Sequence, residues 1–223
     1  MARVIALDVN ETLLDLSALD PDFERVFGGA GQRPQWFAQM LQLALVSTIT
    51  GEYVDFSTAQ RAALAMLGER TGARVGQDDV EAIVGGMRRL PPHPEVRGAL
   101  EALRGSGLQV CALTNSPLEV AEDQVRYAGL RDLLDDVLSA DTVRRLKPAP
   151  EPYAAVAARY AVPAGSVRLV AAHSWDVAGA LAAGCAAAFV ARPGMVLSPL
   201  GRRPDIIGAD LSAVVDQILA VDA

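Results

Sequence analysis

Cysteine is scarce in this chain: Cys111 and Cys185 are the two in 223 residues, each inside an apolar stretch. Two distant thiols make no disulfide framework, so both are expected to be reduced core residues of a cytosolic protein. No basic run occurs and the formal net charge is −7, which argues against nucleic acid as a partner. A small anionic substrate would need local cations, because the overall field repels it. No apolar run reaches membrane-spanning length, and the N-terminus lacks the basic-then-apolar layout of a signal peptide. The expectation is a soluble, cytoplasmic protein with no membrane partner. A hydrophobic fraction of 51% is ample for a buried core and argues against disorder. The length allows one large domain or a core with a sizeable insert.

The first stretch organises the rest. Val4 to Leu7 is a short, β-branched apolar run of the kind expected for a strand buried on both faces. It ends on Asp8 and passes through Asn10, Glu11 and Thr12, polar residues suited to a tight turn. Ligands of open α/β sheets gather outside the carboxyl ends of the strands, which is where Asp8 falls. An ordinary turn-capping aspartate is the alternative reading.

From Pro21 to Arg89 the pattern is helical. Pro34 to Val46 has proline at a plausible first helical position and apolar residues at helical spacing. Ser57 is a natural N-cap for a helix through Gly68, and Gln77 or Asp78 opens another towards Arg88. Pro91, Pro92 and Pro94 then enforce an extended link. Beyond it, helices over Glu95–Arg104, Leu118–Tyr127, Glu151–Tyr160 and Asp176–Ala183 alternate with strands over Leu108–Leu113, Asp136–Ser139, Val167–Ala171 and Ala186–Val190. Such alternation implies right-handed crossovers and a parallel sheet covered on both faces. The expected fold is α/β, a Rossmann-like core (residues 1–15 and 92–223) with an inserted helical cap (16–91). Past Arg192 only a Pro/Gly-rich loop and a final helix near Ala213 to Ala220 are readable.

Three more strand ends carry polar groups. Thr114-Asn115-Ser116-Pro117 precedes a helix, a setting that suits a carboxylate or an ordinary N-cap. Arg145-Leu146-Lys147-Pro148-Ala149-Pro150-Glu151-Pro152-Tyr153 holds a lysine between stiff segments, where an ammonium can balance a nucleophilic carboxylate at low entropic cost. A solvated surface lysine is the alternative there. Ala171-Ala172-His173-Ser174-Trp175-Asp176 ends a strand in a titratable cluster, with a structural histidine as the other reading.

These four strand ends, in this order, resemble the four motifs of the haloacid dehalogenase superfamily, whose nucleophile loop reads D-x-x-x-T after a hydrophobic strand. The resemblance covers essentially the whole chain and is strongest to the type II (S)-2-haloacid dehalogenases. It rests on the K-P-x-P-x-x-Y stretch, the Trp175-Asp176 pair and the cap segment Gly51-Glu52-Tyr53-Val54-Asp55-Phe56. The resemblance implies covalent catalysis. Asp8 would attack the halogen-bearing carbon, and water would hydrolyse the ester to a 2-hydroxy acid. Lys147 would keep Asp8 ionised and Thr12 would orient it. Thr114 and Asn115 would bind the substrate carboxylate, Asp176 would position or activate the water, and Tyr153 would support Lys147. Phe56, Leu41 and Trp175 are candidates for the apolar wall, with Asn10 beside them in the substrate pocket. Relatives of this type are often dimers, so a homodimer stays open.

Phosphatases of the superfamily carry D-x-D, whose second carboxylic acid protonates the leaving alcohol, and further acidic residues that hold Mg²⁺. Here Asn10 replaces that acid and Ala172 stands where a metal-binding aspartate usually sits. Mg²⁺ wants hard oxygen ligands, and Asp8 with Asp176 makes a thin set. A halide leaves without protonation, so the dehalogenase needs neither metal nor cofactor. A Mg²⁺-dependent phosphatase, or a binding protein on the same scaffold, remains as the alternative. Two departures from the dehalogenase pattern bear on the chemistry. Phe37 follows Trp36 where those enzymes usually place a halide-receiving arginine, and Arg33, one turn earlier, is the candidate replacement. The fourth motif gains His173, read here as the base, or its assistant, for ester hydrolysis.

Overall fold

The computed structural model describes residues 1–29 and 31–223. Its centre is a six-stranded, all-parallel sheet whose strands lie in the order Asp136–Ser139 (β3), Gln109–Thr114 (β2), Val4–Leu7 (β1), Val167–Ala171 (β4), Ala186–Val190 (β5) and Ile206–Gly208 (β6). β1 is Val4–Leu7, buried at every residue because layers cover both sides of it. Its side chains alternate: Ile5 and Leu7 join one apolar cluster, Val4 and Ala6 the other.

After β1 the chain enters a helical segment. It holds α1 (Asp20–Phe27), α2 (Gln32–Thr50), α3 (Phe56–Thr71) and α4 (Gln77–Gly86). Exit and return lie side by side: Asp15 N donates to Pro91 O and His93 N to Leu13 O, with Leu14 bridged to Pro92. Asp55, not Ser57, caps α3, its carboxylate accepting from Thr58 N at 3.0 Å, so Ser57 falls inside the first turn. Trp36 and Phe23 pack together inside this segment, ring centres 5.4 Å apart, and the indole N–H donates to Gln60 O.

The sheet then resumes with α5 (Val96–Gly105), β2 (Gln109–Thr114), α6 (Leu118–Tyr127), β3 (Asp136–Ser139), α7 (Pro150–Arg159), β4 (Val167–Ala171), α8 (Ser174–Ala182), β5 (Ala186–Val190), β6 (Ile206–Gly208) and α9 (Leu211–Asp222). Apolar residues of α5, α6 and α9 cover one face, and those of α7 and α8 the other. The arrangement is the expected parallel α/β sheet, with two short elements added that the sequence pattern does not reveal, α1 and the edge strand β6. Both cysteines are buried and free; burial pushes the Cys111 thiol up to about 12 and that of Cys185 to about 11. Among the described residues, no helix is long and apolar enough to cross a membrane.

β1 pairs with β2 on one side and β4 on the other, so the order of winding reverses there. Such a switch point opens a crevice outside the carboxyl ends of the strands. Asp8 leaves β1 at that crevice, with its backbone N–H held by Val170 O of β4.

Candidate active site

Four strand ends deliver their polar groups to one place. Asp8 follows β1, Thr114 ends β2, Lys147 lies in the loop after β3, and His173 follows β4. Lys147 is fully buried, and its ammonium donates to Asp8 Oδ1 at 2.9 Å, Asp176 Oδ2 at 2.5 Å and Leu113 O at 2.8 Å. Burial alone would lower the pKa of this amine. The two carboxylates outweigh that and hold it charged, above its ordinary value. Removing one partner of such a pair strands a buried charge, which typically costs about 3–5 kcal/mol.

Asn115 fixes the lysine from behind. Its side-chain oxygen accepts from Lys147 N at 2.8 Å and its amide donates to Lys147 O at 3.2 Å, as a neighbouring strand would. The residue read as a ligand for the substrate carboxylate is therefore committed first to the lysine backbone. Gly179 of α8 lets the same loop approach closely: a Cβ there would lie 2.5 Å from Pro148 Cβ and 2.6 Å from Tyr153 Oη.

Asp8 Oδ2 accepts from the Thr12 hydroxyl at 2.6 Å and faces His173 Nδ1 at 3.2 Å. Thr12 is itself fixed by Ala172 N at 2.9 Å. Burial raises the Asp8 carboxyl, but the Lys147 charge, His173 and Thr12 together overcome it and hold the group well below the usual carboxylate range. Asp8 is thus a buried, ionised carboxylate. Asp176 is pushed the other way, by burial first and by the Asp8 charge, against the pull of Lys147 and Tyr153.

Tyr153 and Asp176 stand differently from the sequence expectation. Tyr153 donates to Asp176 Oδ1 at 2.5 Å, so it supports Asp176 rather than Lys147 directly. With Oδ2 on Lys147, both oxygens of Asp176 are engaged, the residue is fully buried, and neither it nor Tyr153 lines the cavity.

That cavity is small. Asp8, Asn10, Thr114, Asn115, Lys147, His173 and Trp175 form its floor and one side, and Phe37, Leu41 and Phe56 of the helical segment close it. Its volume is about 10 Å³. That is room for about one water. Asn10 is held by Ser116 Oγ at 3.3 Å and by Gln124 Nε2 at 2.9 Å, two partners that the sequence reading missed. Among the described residues, the buried Trp175 indole N–H finds no hydrogen-bond partner.

A second, outer cavity of about 530 Å³ shares Phe37, Leu41, His173 and Trp175 with the inner one. Arg33 sits there, not in the inner chamber, bound to Asp20 at 2.6 Å and to Glu11 at 3.4 Å. The inner position next to Trp36 is filled by Phe37, stacked on the His173 ring with centres 5.5 Å apart. Trp175 also stacks on the His173 ring, with centres 5.2 Å apart.

His173 also differs from its expected state. Its Nε2 meets Glu11 Oε2 at 2.9 Å, so the ring lies between two carboxylates. Burial lowers its pKa, but the bonds to Asp8 and Glu11 prevail and raise it to about 9. At neutral pH the ring is a cation with a hydrogen on each nitrogen, which is the wrong state for a resting base. Glu11, missed in the sequence, has a backbone φ of 61°. For a non-glycine residue the left-handed region costs about 1–2 kcal/mol, and such strain collects at functional sites.

Mg²⁺ finds few ligands here. The Asn10 oxygen accepts from Gln124, both Asp176 oxygens are engaged, and Ala172 offers no side-chain oxygen. Among the described residues, no group of three or more His, Cys, Asp or Glu side chains is placed to hold a metal ion.

Comparisons with known proteins bear on the family and the fold. Residues 2–184 match the model of the haloacid dehalogenase-like hydrolases. The haloacetate dehalogenase H-2 of Moraxella sp. (strain B) is 29% identical over 97% of both chains. The (S)-2-haloacid dehalogenase of Pseudomonas sp. (strain YL) is 28% identical, over 95% of this chain and 92% of that one. Among solved structures, the L-2-haloacid dehalogenase of Xanthobacter autotrophicus with chloropropionic acid covalently bound superposes over all of both chains, with a TM-score of 0.90 and 25% identity.

Proposed function

The chain belongs to the haloacid dehalogenase-like hydrolases, and from that premise we propose that it removes halide from short 2-haloalkanoic acids through an ester on Asp8. The observation that carries the reading is the chamber itself. A buried carboxylate is kept ionised by Lys147 and faces an apolar wall of Phe37, Leu41, Phe56 and Trp175. An anion with so little room for water is a strong nucleophile toward carbon, and the apolar wall suits an alkyl halide.

In the first step an Asp8 oxygen displaces halide at C2 with inversion. The carbon–halogen bond breaks and its electron pair leaves with the halide. In the second, water adds to Asp8 Cγ and the Cγ–O bond to the substrate breaks. One hydrogen of the water ends on the product hydroxyl, and the other is released as Asp8 ionises again. Lys147 and Thr12 orient Asp8, Asp176 holds Lys147 in place, and Tyr153 holds Asp176. Thr114, Asn115 and Trp175 line the cavity, and their hydroxyl, amide and indole N–H groups would serve as donors to the substrate carboxylate and the departing halide. Residues 16–91 act as a cap over a site carried by 1–15 and 92–223. No metal or cofactor takes part.

The test is halide release from a panel of short 2-haloacids, with EDTA and with added Mg²⁺, beside an Asp8→Asn control. Release that survives EDTA and vanishes in Asp8→Asn is expected. Mg²⁺-dependent phosphate release without halide release would instead establish the phosphatase.

A further inference from the structure

Glu11 has no part in the reaction as written above, yet the fold spends effort on placing it. Its backbone is held in the left-handed region, its N–H bonded to Leu14 O at 2.9 Å and its carbonyl 3.3 Å from His93 Nε2. The side chain turns to His173, 162 positions away in sequence, at 2.9 Å. His173 in turn points Nδ1 at Asp8 Oδ2, the oxygen that also accepts from Thr12. Lys147 serves the other oxygen, Oδ1. The two Asp8 oxygens therefore differ. Oδ1 has one side-chain donor and the freer lone pair, and Oδ2 is held by two.

We propose that Glu11 is a positioning residue for ester hydrolysis. It fixes His173 as a donor whose Nδ1–H, with the Thr12 hydroxyl, holds the charge that builds on Asp8 Oδ2 while water adds to Cγ. The inference rests on the dehalogenase reading. Oδ1 makes the bond to substrate carbon, so Oδ2 becomes the ester carbonyl oxygen. Esterification removes the Asp8 charge that had helped keep His173 protonated. The Glu11 carboxylate remains and keeps the ring charged through the second step. Collapse of the tetrahedral adduct breaks the Cγ–Oδ1 bond, and the donors on Oδ2 are retained throughout, as preorganised oxyanion donors should be. Around His173 the charged groups are Asp8 and Glu11 directly, Lys147 through Asp8, and Arg33 through Glu11. The helical segment offers Phe37 and α8 offers Trp175, both uncharged ring neighbours.

The experiment uses Glu11→Gln and Glu11→Asp with chloroacetate. It follows halide release in the first turnover, steady-state kcat across pH, and the intact protein mass after acid quench. Aspartate tolerates the left-handed backbone and keeps the charge. For Glu11→Gln the expected result is a halide burst of about one per enzyme at nearly the parent rate, with kcat lowered about tenfold or more. A carboxymethyl adduct on Asp8 accumulates, and the alkaline limb of kcat moves to lower pH. Glu11→Asp recovers part of kcat. Equal slowing of both steps, or an unshifted pH profile with no adduct, overturns the proposal, because a purely structural role predicts those results. A parent enzyme that releases no halide from any haloacid overturns the underlying reading, a result separate from either Glu11 outcome.

Discussion

Replacing His173 by Gln removes a buried cation and should leave a signature in stability against pH. The ring sits between Asp8 and Glu11, which raise its pKa from 6.5 to about 9 against the opposing effect of burial. A group with a higher pKa in the folded state stabilises fully below its unfolded value, and that stabilisation is lost as pH rises through the folded value. The gap between 6.5 and about 9 corresponds to about 3 kcal/mol. It is complete below pH 6.5, about half gone by pH 8 and essentially absent by pH 10. For a chain of this length it amounts to about 6–12 °C in Tm. His93, held below its ordinary value, and the thiols Cys111 and Cys185, held above theirs, also respond in this range. They are common to both proteins, so the difference between parent and variant isolates His173. Thermal denaturation of both from pH 6 to 10 should show the parent losing its advantage over His173→Gln as pH rises. Parallel Tm curves would refute the charged state assigned to His173.

Three further outcomes follow from the geometry. Lys147→Met leaves Asp8 and Asp176 buried without their shared cation, so chemical denaturation should show a loss of about 3–5 kcal/mol at neutral pH, and halide release should cease. Gly179→Ala forces a Cβ into Pro148 and Tyr153, so both stability and kcat should fall even though the residue touches no substrate. Arg33→Ala removes a guanidinium that reaches Glu11 and Asp20 from the outer cavity, so kcat should fall less than about tenfold, far less than for Asp8→Asn; equal losses would put Arg33 in the chamber after all.

Much of the fold was legible because its strands are buried on both faces and bracketed by punctuation. Val4–Leu7, Val167–Ala171 and Ala186–Val190 coincide with strands read as apolar runs, and Asp136–Ser139 with a short strand candidate. Ile206–Gly208 escaped because three residues at a sheet edge give no periodicity to read. Asp20–Phe27 escaped because it is short and starts without a side-chain cap. The chamber wall of Leu41, Phe56 and Trp175 was visible through resemblance alone, since helical spacing does not say which apolar residue faces a cavity. Glu11 could not be found from the pattern. Its meeting with His173 depends on a left-handed backbone and on β1 pairing with β4, neither of which the local sequence announces. The same holds for Tyr153, whose hydroxyl reaches Asp176 only because α7 and α8 pack together.

The central claim is that Asp8 becomes covalently attached to substrate and is released by water at Cγ. A single turnover in H₂¹⁸O, with enzyme in excess over chloroacetate, tests it most directly. The heavy oxygen should appear in the Asp8 carboxylate, located by mass spectrometry of the peptide that contains it, while the product hydroxyl stays unlabelled. Label in the product with Asp8 unlabelled would mean that water displaces the halide itself, and the covalent account would fail.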